Sequence, residues 1–179
     1  MKALTARLEG PLLIEPAVHG DPRGFFVETF RRETLAELGV REGWVQDNHS
    51  RSARGVLRGM HFQPGMAKLV RCGQGAILDV LVDIRPGSAT FGDWEAHELD
   101  DARHRQLYVP DGFAHGFCVL SDGADVIYKC SDYYAPERES GFRFDDPEVG
   151  IEWPSGIEFI TSPRDREAPL LSELGLGSY

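Results

Sequence analysis

The residues with most chemical potential in this sequence are His61 and Lys68. An imidazole titrates near neutral pH, so His61 can take up and return a proton under ordinary conditions. An ammonium seven positions later can stabilise an oxyanion that develops as the proton leaves. His115 is a second imidazole and follows the turn Pro110-Asp111-Gly112. Chemistry at these groups requires a scaffold that brings distant segments together around one pocket.

The elements that must do this read mainly as strands. The 179 residues include twenty glycines and eleven prolines, scattered along the chain, as in folds of many short strands joined by turns. Expected strands are Phe25 to Phe30, Gly55 to Phe62, Ala67 to Cys72, Ala76 to Ile84, Trp94 to Leu99, Gln106 to Val109, Ala114 to Leu120 and Val126 to Ser131. In Ala76 to Ile84, Ile77, Asp79, Leu81 and Asp83 share one face, and Leu78, Val80, Val82 and Ile84 share the other. One helix is expected over Arg31 to Leu38, capped by Gly39, with a second short one near Leu170 to Leu174. After Pro136 the pattern loosens into coil that wraps the sheet. With no repeat and no linker, residues 1–179 read as one domain.

Composition narrows the function. Hydrophobic residues are 41% and charged residues 27%, an ordinary globular balance, and the net charge of -10 argues against a nucleic-acid polymer as partner. A single diphosphate needs only a few local cations and is not excluded. No membrane span or signal peptide is expected. Cys72, Cys118 and Cys130 are odd in number, which fits reduced thiols in a cytoplasm.

Gly55, His61, Gln63, Lys68 and Gly75 fall at the spacing of the first cupin motif, and Pro110, Gly112 and His115 match the core of the second. The fold class implied is all-β, a cupin-type jelly-roll barrel with one or two short peripheral helices. In a metal cupin the positions of Gln63 and Lys68 hold histidine and glutamate. An ammonium at a ligand position repels a divalent cation, so the site reads as free of metal.

Over nearly the whole chain, from about Asp21 to Pro169, the sequence resembles the dTDP-4-dehydrorhamnose 3,5-epimerase family. The stretches that carry the resemblance are Asp21-Pro22-Arg23-Gly24-Phe25-Phe26-Val27-Glu28, Gln46-Asp47-Asn48-His49-Ser50, Gly55 through Gln63, Ala67 through Arg71, Pro110 through Phe117, and Tyr128-Lys129. The loop Pro64-Gly65-Met66-Ala67 is shorter than in many members, and Met60 replaces the usual leucine. The resemblance implies a cofactor-free homodimer acting on a dTDP-4-keto-6-deoxy sugar. His61 would be the base, Asp165 would hold its imidazole, Lys68 would stabilise the enolate and Tyr128 would return a proton from the opposite face. Arg58, Asn48 and Gln46 would contact sugar and diphosphate. Arg23, Phe26 and Glu28 would reach the nucleotide from the neighbouring subunit, Tyr134 would stack on thymine, and His115 would line the pocket.

Blander readings stand beside these. His115 could be a buried structural histidine, Tyr128 a core tyrosine, and Asp165 one half of a solvated pair with Arg164 or Arg166. Asp79 and Asp83 could support the site, or pair with Arg71 and Arg85. Strict alternation puts Arg58 and His61 on opposite faces, so a bulge or the strand's end must re-aim one of them. Rival functions are a C3-only or C5-only epimerase, a ketoisomerase, a non-catalytic nucleotide-sugar-binding cupin and a metal-dependent oxygenase.

Overall fold

The computed structural model describes residues 1–4 and 6–176. The chain runs through β1 (Lys2–Leu4), β2 (Leu12–Glu15), β3 (Val18–Asp21), β4 (Gly24–Val27), α1 (Arg32–Glu37), β5 (Gln46–Ala53), β6 (Leu57–Phe62) and β7 (Lys68–Gln74). It continues through β8 (Ala76–Asp83), β9 (Trp94–Asp100), β10 (Gln106–Val109), β11 (Phe113–Val119), β12 (Gly123–Cys130), β13 (Ser140–Gly141) and α2 (Pro163–Arg166), then a 3-10 turn at Leu171–Leu174.

Two sheets form the barrel. One has the order β1-β2-β10-β7-β12-β5 and the other β13-β6-β11-β8-β9, while β3 and β4 pair only with each other. Non-consecutive neighbours such as β7 between β10 and β12 are the crossovers of a jelly roll. The strands pair antiparallel, so alternate residues point into the barrel.

The inward set includes Val70, Cys72, Ile77, Leu81, Leu107, Phe113, Phe117, Val119 and Val126, which form one buried cluster. Burying each large apolar side chain contributes about 1.5–3 kcal/mol. On the outer face of the second sheet, Met60, Val80, Val82 and Ala114 pack against Phe142, Val149 and Leu171. The coil after Pro136 therefore covers a sheet face, as the sequence implied. On the outer face of the first sheet, α1 buries Leu35 against Ile14, Leu69 and Tyr108. Gly39, with φ +97, ends that helix.

The expected set of elements needs correction, since β1, β2, β3 and β13 are not among the expected strands. The strand expected over Phe25 to Phe30 stops at Val27 and forms an exposed hairpin outside the barrel. Gln46–Ala53 is a full strand that sequence patterning missed, because its residues, Gln-Asp-Asn-His-Ser-Arg-Ser-Ala, offer no apolar alternation. The four-residue helix α2 was also missed, being too short for any periodicity.

Candidate active site

One end of the barrel interior is polar where the other is apolar. β5 turns Gln46, Asn48, Ser50 and Ser52 toward the interior, and their alternate neighbours are exposed. Asn48 stands opposite Tyr128 on β12, and Cys130 of that strand stands opposite Lys68 on β7. Of these strands, Ser50, Lys68 and Tyr128 face β6 and β11 of the other sheet across a cavity of about 450 Å³. Arg58, His61, Lys68, His115, Tyr128 and Asp165 all line it.

A bulge makes the Arg58–His61 pairing possible. His115 of β11 pairs with His61, and Phe117 pairs with Arg58, so two residues of β6 answer to one of β11. The extra residue changes the parity, and both side chains reach the same cavity. Gly59 sits in the bulge with φ +140, and a Cβ there would lie 2.6 Å from Gly116 Cα. Glycine is required on both counts. Arg58 then crosses to the other sheet and donates from Nε and Nη2 to Ser52 Oγ, at 3.2 and 3.1 Å.

Asp165 arrives from far along the chain. The segment before it pairs with the start of β6: Ile160 N–H donates to Gly55 O, and Leu57 N–H donates to Ile160 O, both at 2.9 Å. Ser162 then caps α2 by accepting from Asp165 N–H at 3.1 Å. The Asp165 carboxylate is buried and meets His61 Nε2 at 2.7 Å. Burial pushes its pKa up, but hydrogen bonds from His61, Ser162 and the Gly59 amide outweigh this and hold it below the usual carboxylate range. The solvated-pair reading of Asp165 is thereby overturned. Arg164 pairs with Glu139 at 2.5 Å, and Arg166 reaches Thr161.

His115 is buried, and its Nε2 lies 2.9 Å from Asp79 Oδ1. Asp79 thus serves this histidine and does not pair with Arg71. Asp83 on the same face has a different task, binding Arg85, Ser88 and Thr90. A third imidazole–carboxylate pair, His97 with Glu95 at 2.6 Å, continues the row across the sheet on β9.

Desolvation lowers the pKa of Lys68, while Cys130, Glu139 and Asp79 pull it back up. Desolvation raises that of Tyr128, aided by Cys130 and Glu139, so the phenol keeps its proton. The cavity therefore presents an imidazole paired with a carboxylate, a buried lysine amine and a phenol.

Gln63, at a position that metal cupins give to histidine, is buried and turned away to structural work. Its Nε2 donates to Tyr133 O at 3.0 Å, and its Oε1 accepts from Ala135 N–H at 2.9 Å. That loop carries Tyr134, whose N–H donates to Gln46 Oε1 and whose hydroxyl donates to Glu139 Oε2, each at 3.0 Å. Gln46, Asn48 and Tyr134 are not on the cavity wall; Gln46 Nε2 donates to Asn48 Oδ1 at 3.1 Å, which ties the three together. Arg23, Phe26 and Glu28 are not on its wall: Phe26 is 69% exposed, Arg23 pairs with Asp21 and Glu28 with Arg31.

Sequence reasoning missed Ser50, Glu139 and Arg164 on the cavity wall. Glu139 and Arg164 lie in the loosely patterned coil after Pro136, where no periodicity marks an inward face. Among the described residues no group of three or more His, Cys, Asp or Glu is placed to hold a metal ion.

The chain matches the family described as dTDP-4-dehydrorhamnose 3,5-epimerase over residues 5–173. It is 47% identical to the Escherichia coli dTDP-4-dehydrorhamnose 3,5-epimerase, covering 97% of this chain and 96% of that protein. Its fold superposes on the Legionella pneumophila dTDP-6-deoxy-D-glucose-3,5-epimerase, solved with dTDP-4-keto-L-rhamnose, with a TM-score of 0.93 at 46% identity, covering 96% and 93% of the two chains. A 3'-monoepimerase from Streptomyces bikiniensis, solved with dTDP-quinovose, is similar at a TM-score of 0.91 and 41% identity, over 96% and 90%.

Proposed function

This chain belongs to the dTDP-4-dehydrorhamnose 3,5-epimerase family, and on that premise we propose that it inverts C3 and C5 of dTDP-4-dehydro-6-deoxy-D-glucose to give dTDP-4-dehydro-L-rhamnose. The observation that carries the chemistry is the meeting of His61, Lys68, Tyr128 and Asp165 around one cavity. A ketone at C4 acidifies the protons on C3 and C5. His61 removes one of them, and the electron pair moves into an enolate whose oxygen Lys68 stabilises. Tyr128 delivers a proton to the opposite face of the same carbon, which inverts it. Water then takes the proton from His61 and restores that of Tyr128.

Asp165 fixes the ring by accepting at Nε2, which leaves Nδ1 as the nitrogen free to act on carbon. It also stabilises the imidazolium that forms. General acid–base groups of this kind contribute about 10²–10⁴-fold each. His115, held by Asp79, lines the pocket beside the base, and Arg58, Asn48 and Gln46 contact sugar and diphosphate.

The nucleotide end completes the site as a homodimer. Arg23, Phe26 and Glu28 of one protomer reach the nucleotide bound by its partner, and Tyr134 stacks on the base. The outward-directed hairpin supports this arrangement. We read residues 1–179 as one catalytic unit working in the cytoplasm, where the three free, buried cysteines stay reduced. No helix among the described residues is long and apolar enough to cross a membrane.

The test is incubation with dTDP-4-dehydro-6-deoxy-D-glucose in deuterium oxide, following C3 and C5 by proton NMR. Loss of both signals is the expected result. Loss of one alone makes the protein a mono-epimerase, and exchange at neither carbon by folded protein refutes the substrate assignment.

A further inference from the structure

The hairpin of β3 and β4 pairs with no other strand among the described residues, and its residues are exposed along almost their whole length. A two-stranded hairpin is marginal by itself in water, so its direction depends on where it is tied down. Its root is held by Gln106, buried on β10, whose Nε2 donates to Thr29 O at 2.8 Å. Nearer its tip the Phe25 ring lies on the ring of His104, with centroids 4.4 Å apart.

His104 is built as a firm support. It lies between β9 and β10 with φ +54, and it alone of the described non-glycine residues has positive φ. It is only 7% exposed, although the ring it supports is 61% exposed. The turn before it is closed by the Asp100 carboxylate, which accepts from Ala102 N–H at 3.0 Å and from Arg103 N–H at 2.6 Å. His104 N–H itself donates to Asp100 O at 3.1 Å. Phe25 and Phe26 are neighbours in an extended strand and so point to opposite faces. With Phe25 clamped against its own barrel, Phe26 must face away from it.

We propose that His104 is a positioning residue for nucleotide binding, acting through Phe25 to hold the hairpin in the direction that presents Phe26, Arg23 and Glu28 to the neighbouring subunit. The inference rests on the reading above that these residues bind the nucleotide. His104 touches no substrate, and its effect falls on affinity and not on the proton transfers at the other end of the site.

The backbone conformation dictates the test variant. Alanine at φ +54 would strain the turn, whereas asparagine tolerates that region, so His104→Asn removes the ring and keeps the turn. The full-length protein is titrated with dTDP by calorimetry, and kcat and KM are measured with the nucleotide sugar. His104→Asn and Phe25→Ala are each expected to weaken dTDP binding about 10-fold, the scale of re-ordering a loosened contact segment. KM rises in parallel, kcat is unchanged, and Phe25→Tyr, which keeps the ring, restores wild-type affinity. Wild-type affinity in both His104→Asn and Phe25→Ala, while Phe26→Ala weakens binding, overturns the role of His104. Wild-type affinity in Phe26→Ala and Arg23→Ala as well overturns the nucleotide reading of the hairpin itself. A fall in kcat equal to the rise in KM marks His104 as a general structural residue and also refutes the proposal.

Discussion

His61 Nε2 and Asp165 Oδ1 lie 2.7 Å apart although 104 positions separate the two residues in the chain. The contact depends on the short pairing of Ile160 with Gly55 and Leu57, which lays the α2 segment beside β6. A carboxylate buried against an imidazole in this way fixes the orientation of the ring.

Replacing His61 with alanine should reduce kcat by about 10²–10⁴-fold, with the circular dichroism spectrum unchanged. Asp165→Asn should cost less, because the ring remains and only its orientation and charge partner are lost. The same variant has a stability signature. The folded-state pKa of Asp165 is depressed, so its stabilising contribution is full above the unfolded carboxyl pKa and disappears as pH falls through the folded value. Thermal melts of wild type and Asp165→Asn should therefore differ at neutral pH and converge in acid.

Tyr128→Phe should separate abstraction from inversion. His61 can still remove the substrate proton and hand back one from solvent on the same face. Proton NMR in deuterium oxide should then show washout at carbon continuing while the epimerised product is strongly reduced. Product formation at the wild-type rate would remove Tyr128 from the role of acid.

Lys68 should reveal itself on the alkaline side of the pH–rate profile. Desolvation lowers its pKa, so the stabilising ammonium is lost at a lower pH than in an ordinary, solvated lysine. Lys68→Met should abolish that dependence and lower kcat by about 10²–10³-fold, as for removal of an oxyanion donor. A profile with its alkaline limb intact in the variant would assign the limb to another group.

Gly59→Ala tests the bulge. The added Cβ would fall 2.6 Å from Gly116 Cα, at a φ of +140. Denaturant titration should show a loss of about 2 kcal/mol or more, as for other substitutions at strained or overpacked positions. Activity should fall further than stability explains, because the bulge aims both Arg58 and His61.

The strands that pack on apolar neighbours were legible in the residues. β8 alternates as read, with Ile77 and Leu81 in one buried cluster and Val80 and Val82 in the other; β10 occupies Gln106–Val109 as read. β5 was illegible for the opposite reason. Its inward-facing residues Gln46, Asn48 and Ser50 are polar, and only Ser50 of the three is on the cavity wall, so they gave no hydrophobic alternation to detect. The strand at Phe25 was overextended because Val27, Thr29 and Phe30 look strand-like locally, whereas only β3 is available to pair with it.

By itself the sequence determined an all-β fold, through short strands punctuated by turns, and the barrel class, through the cupin spacing of Gly55, His61 and Gly75 and of Pro110, Gly112 and His115. Both are properties of local residue type and spacing. Tertiary structure decided the rest: that Asp165 is buried on His61 and not solvated beside Arg164, that Asp79 serves His115 and not Arg71, and that Arg58 and His61 share a cavity. Each of those outcomes depends on strand register, a bulge and chain segments far apart in sequence, and hydrogen-bond partners at such separations are set by the closed fold.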